Sequence, residues 1–348
     1  MTMVVVTGVA SELGLRVCEL LAGDPSVDRV LALDLRSPAA VPAGVEVRAV
    51  DLATAELKPF LEGAEAVIHL ASVFGPSMDG PEIEAGVQVA MARRVLDAAG
   101  DASVSAVVIA SSATVYGAWG NNPVPITEDA PTRPCPDLTY AVHEGEVERQ
   151  ALEWREEHPD STVCLLRPCP VVGDGSAGWL ARALDRASSL VAASADDPPM
   201  QYLHLEDLAS AVDVARRRRL DGPVSQPSGA TLTGTERRAL DPAPRLRLPD
   251  RLVSEVASWR WRLRLAPIPP GILAYVRHPW VVANDRLRSA GWVPTFSNEE
   301  AYVAGHAAGP IEKLSPRRRQ ELALGAAAGA VVAAGIGGVV AIRRARRT

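Results

Sequence analysis

Lysine is nearly missing from this 348-residue chain: of 36 basic side chains only Lys58 and Lys313 are lysines. Aromatic residues make up just 4%, and the four cysteines, Cys18, Cys135, Cys164 and Cys169, form no C-x-x-C pair. No histidines stand at metal-ligand spacing, so no metal is expected, and the cysteines read as small buried hydrophobes in a reducing compartment. No basic n-region precedes Met3–Val6, which runs straight into a glycine loop, so a signal peptide is not expected and a cytoplasmic body is. No repeat recurs at a period of roughly 20–50 residues, which argues against a solenoid. What is present is an apolar fraction of 47%, which excludes intrinsic disorder.

The net charge of −6 is unevenly spread. Residues 312–348 carry eight basic and two acidic side chains, +6, which leaves −12 for residues 1–311. An acidic body argues against nucleic acid as a partner.

Short β-branched apolar runs at Met3–Val6, Val30–Leu33, Val45–Val50, Ala66–Leu70, Val104–Ala110 and Thr162–Leu166 read as buried strands. Helical periodicity falls between them at Glu12–Leu21, Thr54–Leu61, Ile83–Ala98 and about Leu138–Glu157. Alternating strands and helices, with strands apolar throughout, predict an α/β doubly wound parallel sheet. A smaller C-terminal lobe is expected after Pro168, with a helix over Leu205–Arg219 and an irregular stretch over Pro223–Pro270. The domain reading is therefore 1–167 for the sheet and 168–311 for a substrate lobe, one helix of which returns to the sheet. Residues 312–348 form a basic-flanked tail.

Within that tail, Leu322–Ile342 has no charge, polar side chain or proline. As a helix it would span about 31 Å, close to the hydrocarbon thickness of a bilayer. Small residues recur at every fourth position from Gly325 to Ala341, a stripe suited to close helix contact in lipid. The expectation is a transmembrane C-terminal helix that anchors the body to a membrane; a helix lying on the protein or on the bilayer surface is the alternative.

The first strand ends in Thr7-Gly8-Val9-Ala10-Ser11-Glu12-Leu13-Gly14, followed by a helix. A glycine turn there lets backbone approach a pyrophosphate, and the helix N-terminus supplies free N–H groups and a positive dipole end. Asp34 ends the second strand, where a carboxylate accepts from the adenosine ribose hydroxyls and repels a 2′-phosphate. Despite Arg36 nearby, this favours NAD over NADP.

With those residues in view, the chain resembles the extended short-chain dehydrogenase/reductases of the NAD-dependent epimerase/dehydratase type. The resemblance covers about residues 3–310. Its motifs, in order, are Thr7–Gly14, Asp34, Asp51-Leu52, His69-Leu70-Ala71, Ser111–Gly117, Tyr140, Arg167-Pro168 and Tyr202–Leu208. It implies a Rossmann fold in which Gly8, Ser11, Gly14, Asp34, Asp51, Leu52, Ala71 and Pro168 line the cofactor. It further implies that Ser112 bonds the substrate oxygen and that Tyr140 exchanges the hydroxyl proton during hydride transfer. A nucleotide sugar is the substrate class implied, with a homodimer left open. The 4,6-dehydratases of the family carry an Asp-Glu pair where this chain has Ala113-Thr114, so dehydration by that route is disfavoured.

Three departures concern the chemistry. The lysine expected four residues after Tyr140 is Glu144, which should raise rather than lower the tyrosine pKa. Ser11 replaces a loop glycine, and a central-helix asparagine aligns with Gly86. His143 could substitute for the missing cation only if protonated. Two readings result: an oxidoreductase of reduced activity, or a catalytically silent NAD-binding sensor or scaffold at the membrane. Trp259, Trp261, Trp280 and Trp292 are read as packing, and Arg216–Arg219 as a solvated helix end favoured by the dipole.

Overall fold

The computed structural model describes residues 2–71, 81–190, 197–240, 250–263, 265 and 269–306. The first half follows β1 (Met3–Thr7), α1 (Glu12–Ala22), β2 (Arg29–Asp34), β3 (Val45–Ala49), α2 (Lys58–Leu61), β4 (Ala64–His69), α3 (Pro81–Asp101) and β5 (Ala106–Ala110). A single 3-10 turn, Ala113–Tyr116, precedes α4 (Thr139–Glu157) and β6 (Thr162–Pro168). Then come β7 (Val171–Gly173), β8 (Ser176–Ala177), α5 (Trp179–Leu190), β9 (Leu203–His204), α6 (Leu205–Arg217) and β10 (Gly222–Gln226). The chain closes with α7 (Gly234–Leu240), α8 (Asp250–Arg262), α9 (Ile272–Arg277), α10 (Asp285–Ser289) and α11 (Asn298–Gly305).

Seven strands form one parallel sheet in the order β10-β6-β5-β4-β1-β2-β3. Successive strand side chains point to opposite faces, so Val4 and Val6 pack with α1 and α6 while Met3 and Val5 pack with α3 and α4. Both faces are covered, which is why these strands read as continuous apolar runs. The order reverses between β1 and β4, and a crevice opens at their carboxyl ends, the usual ligand position in such sheets. A separate core gathers Tyr116, Leu138, Leu184, Tyr202, Ile272, Tyr275 and Tyr302 from the smaller C-terminal lobe and the loops that meet it. There β7 pairs with β8 and β9 in a second, three-stranded sheet.

Several expectations change. The transmembrane C-terminal helix is corrected. Among the described residues no helix is long and apolar enough to cross a membrane. The 21-residue α3 is long enough, but its sequence carries Glu82, Glu84, Arg93, Arg94, Asp97 and Asp101. Residues 322–342 lie outside the described residues. With that helix goes the basis for a membrane partner and for a membrane-anchored location.

The stretch from Pro223, expected to be irregular, supplies β10 and α8. The helix expected over Thr54–Leu61 shrinks to Lys58–Leu61 because Asp51 ties the preceding turn, accepting from Ala53 N at 2.9 Å and Thr54 Oγ1 at 2.9 Å. Arg216 is not solvated: it is buried and paired with Asp24 at 2.6 Å and Asp213 at 3.0 Å, fastening α6 to the turn after α1. Trp280 and Trp292 are buried as expected, whereas Trp259 is 60% exposed on α8.

Candidate active site

The glycine loop leaves β1 at Gly8, whose φ of +88° lies in the left-handed region that favours glycine. A Cβ there would stand 2.6 Å from the Ala71 backbone nitrogen, so only glycine lets the loop approach the end of β4 this closely. Gly14 is as constrained: a Cβ would meet the Gly8 carbonyl oxygen at 2.2 Å. Ser11 fits its place in extended backbone. It caps α1 by accepting from Gly14 N at 3.0 Å and donates its hydroxyl to Gly8 O at 2.8 Å. It consumes one of the four first-turn N–H groups that lack helical partners, while Glu12 N and Leu13 N stand in the same first turn. Thr7 Oγ1 lies 2.7 Å from His69 Nδ1 and joins the ends of β1 and β4 beneath the loop. Burial pushes the His69 imidazole down to about 4, so the ring is neutral.

Asp34 accepts from Ala10 N at 2.9 Å and from Arg36 N at 3.0 Å, which aims its carboxylate at the loop. Around it opens a groove of about 490 Å³ lined by Gly8, Ala10, Ser11, Asp34, Asp51, Leu52, Ala71, Val87 and Met91. Leu52, Val87 and Met91 offer apolar surface for a planar base, and Asp34 offers acceptors for a diol. These residues fit the adenosine half of a dinucleotide. The groove brings together every expected cofactor residue except Gly14, which shapes the loop from beneath, and Pro168, which lies in the adjoining cavity.

That second cavity, about 370 Å³, shares Ser11 and takes in Ser112, Tyr140, Glu144 and Pro168, with Glu12, Cys169, Trp179 and Arg182. Ser112 follows β5 and also caps the 3-10 turn, accepting from Thr114 N at 3.2 Å and Thr114 Oγ1 at 3.0 Å. Its hydroxyl thus has a structural duty as well as a place in the cavity. Tyr140 sits in the first turn of α4, half-buried, and Trp179 at the start of α5 packs against its ring edge-on at 4.7 Å. Sequence reading missed this tryptophan because nothing marks it apart from other packing aromatics.

Glu144 lies one helical turn beyond Tyr140, 1% exposed, with Oε1 accepting from Gln88 Nε2 at 2.7 Å. Burial pushes its carboxyl up to about 8, against the pull of the Gln88 hydrogen bond. Tyr140 is raised well above the usual phenol range, first by burial and then by Glu144, with Ser112 pulling weakly the other way. His143 is pushed below its ordinary value by burial, so it supplies no cation at neutral pH. Gln88 is the α3 residue that bonds Glu144, whereas Gly86, where the family asparagine aligns, makes no such contact. Gly86 is exposed, and a Cβ there would meet nothing within 4 Å. The signal was available: Gln88, Ala92, Val95 and Ala99 repeat at helical spacing along the buried face of α3.

Behind the cavity, Arg167 of β6 and Glu148 of α4 form a buried two-pronged pair, with N–O distances of 2.9 and 2.6 Å. Ser111 Oγ donates to Glu148 at 2.6 Å, and Arg167 donates to Tyr116 Oη at 2.7 Å, which lies 3.1 Å from Ser225 Oγ. This network ties β5, β6, β10 and α4 together beneath Tyr140.

The family model described as "NAD dependent epimerase/dehydratase family" matches residues 4–226. Uncharacterized proteins of Mycobacterium tuberculosis (strain ATCC 25618 / H37Rv) and Mycobacterium bovis (strain ATCC BAA-935 / AF2122/97) are each 26% identical over 332 residues, covering 90% of this chain and 86% of theirs. Among solved structures, a Thermus thermophilus UDP-glucose 4-epimerase in complex with NAD is similar at a TM-score of 0.64 and 22% identity, covering 86% of this chain and 96% of that one. A Streptomyces venezuelae dTDP-glucose 4,6-dehydratase with NAD and TYD bound gives a TM-score of 0.65 and 20% identity, covering 86% and 94%. These structural likenesses concern the fold. With a doubly wound sheet, a glycine loop at its switch point and a model match over most of that sheet, the chain belongs to the NAD-dependent epimerase/dehydratase family.

Proposed function

We propose that this protein is an NAD-dependent oxidoreductase acting on a nucleotide-sugar-like small molecule, with proton transfer weakened near neutral pH. The observation that carries the reading is the convergence of Ser112, Tyr140, Glu144 and Pro168 on one cavity that shares Ser11 with the adenosine groove. NAD, when bound, would accept or return a hydride. Gly8, Gly14 and Ser11 would let its pyrophosphate approach the α1 N-terminus, Asp34 would hold its adenosine ribose, and Asp51, Leu52, Ala71 and Pro168 would border the rest. Ser112 would bond the substrate oxygen and Tyr140 would exchange its proton.

A phenol raised well above 10 keeps its proton at pH 7. It serves as an acid toward a developing alkoxide but is a poor base: an ordinary phenol already needs about 4 kcal/mol of differential stabilisation to reach 7, and this one needs more. A second reading, a catalytically silent NAD-binding sensor or scaffold, is favoured by one observation: Glu144 is no stray side chain but is buried and held by Gln88 at 2.7 Å.

Hydride exchange with a panel of nucleoside diphosphate sugars tests both, on the full chain, Glu144→Lys and Tyr140→Phe. The expected result is slow exchange by the native chain, at least about tenfold faster exchange in Glu144→Lys, and none in Tyr140→Phe. Fast native exchange that lysine does not improve would overturn the role given to Glu144. Cofactor binding without exchange in any variant would favour the silent reading.

A further inference from the structure

We infer that Glu144 makes this cleft discriminate between the two redox states of the nicotinamide, preferring the oxidised, cationic ring increasingly as pH rises and so favouring reduction of the substrate. The inference rests on the proposed NAD site. Its geometric basis is a side chain 1% exposed, one of whose oxygens is fixed by Gln88 while the other, Oε2, is buried with no hydrogen bond within 3.5 Å, beside the Tyr140 hydroxyl. This carboxyl lines the same cavity as Ser112, Tyr140 and Pro168, where hydride transfer to a substrate held by Ser112 would require the nicotinamide to lie.

An oxidised nicotinamide ring carries a positive charge and the reduced ring does not. A carboxylate in a low-dielectric wall therefore stabilises the first relative to the second, whereas a neutral carboxyl does so only weakly. The groups facing Glu144 are Tyr140 and Glu148 on its own helix and Gln88 on α3, with Glu148 tied to Arg167 of β6. The rest of the cavity lining adds Glu12, Cys169 and Arg182. Arg182 is exposed at the rim and donates to the Ala177 carbonyl. Burial raises the Cys169 thiol, and Tyr140 is raised likewise, so both stay protonated as Glu144 ionises. Ionisation with a midpoint of about 8 for the empty site falls within an accessible window.

Glu144 acts on the cofactor in favour of substrate reduction, while its charge makes Tyr140 a weaker acid. In the favoured reaction the substrate carbonyl carbon gains a hydride from a dihydronicotinamide, which is oxidised. The carbonyl electron pair moves to oxygen, which takes the Tyr140 proton, and the phenolate recovers a proton from solvent. A protonated Tyr140 supplies the acid this direction needs, and ionised Glu144 stabilises the oxidised cofactor it leaves.

The test is the ratio of dissociation constants, NADH over NAD, measured by titration of the full chain at pH 6.5 and pH 9. The native ratio should rise about tenfold between these values and stay flat in Glu144→Gln. A ratio that is flat in the native chain, or that rises equally in the variant, would overturn the inference while leaving the NAD site intact. Failure of both cofactors to bind the native chain would instead sink the proposed function on which it rests. Should the variant not fold, calorimetry on the native chain at pH 8 in buffers of different ionisation enthalpy decides. Proton release on binding NAD but not NADH supports the inference, and equal release overturns it.

Discussion

Replacing Glu144 by glutamine should stabilise the protein in alkali and leave it nearly unchanged in mild acid. The carboxyl titrates near its ordinary 4.5 in the unfolded chain and at about 8 when folded. Below pH 4.5 both states are protonated, and Glu144 contributes no pH dependence. Between 4.5 and 8 the unfolded chain releases this proton while the folded chain retains it, so stability falls as pH rises. Above 8 the loss is complete and corresponds to about 5 kcal/mol as an upper value. Water drawn to the ionised carboxylate relaxes part of that, giving an expected effect of about 3 kcal/mol. Glutamine has the same shape, never ionises, and can still accept from Gln88 through its carbonyl. Urea unfolding of both proteins at pH 5 and pH 8.5 makes the comparison, since titrations elsewhere cancel between them. The variant should lie within about 1 kcal/mol of the native chain at pH 5 and exceed it by about 3 kcal/mol at pH 8.5. A difference that does not change between the two pH values would refute the claim that Glu144 is protonated because it is buried.

Three further outcomes follow from the same geometry. Glu148→Ala leaves Arg167 charged and unpaired in the interior and should cost about 3–5 kcal/mol in urea unfolding, with Glu148→Ala/Arg167→Met recovering much of the loss. His69 is neutral when folded, at about 4 against an ordinary 6.5. Its contribution, present above 6.5, is therefore lost as pH falls toward 4, up to about 3 kcal/mol. In His69→Gln that segment of the stability–pH curve should flatten. Gly8→Ala drives a Cβ into the Ala71 backbone at a φ of +88°. It should lower the thermal midpoint and weaken cofactor binding at least about tenfold, both read in one thermal-shift titration with and without NAD.

The sheet was legible because parallel strands buried on both faces leave continuous apolar runs, as in Val4–Val6 and Val107–Ile109. The strand Gly222–Gln226 was not. It lies at the sheet edge, contains Pro223, and ends in Ser225 and Gln226, two polar residues whose burial no hydrophobic pattern discloses. Arg216 misled for a related reason: its acidic partner Asp24 is 192 residues away in the chain, and only packing of α6 near the turn after α1 brings them together. In the site, spacing alone predicted that Glu144 would raise the tyrosine, and the structure has it doing so. Spacing could not predict that Glu144 would itself be buried and titrate near 8, because that depends on how closely α3 packs on α4. The residue of α3 that meets Glu144 is Gln88, two positions beyond Gly86, and the buried stripe of α3 marks it.

The NAD site, on which the proposed chemistry depends, is probed most simply by calorimetric titration of NAD and NADP into the full chain, native and Asp34→Ala. NAD should bind the native chain in the micromolar to high-micromolar range and NADP at least about tenfold more weakly. Asp34→Ala should weaken NAD and erase most of that preference. Absence of NAD binding at millimolar concentration, or a native chain that prefers NADP, would contradict the assignment.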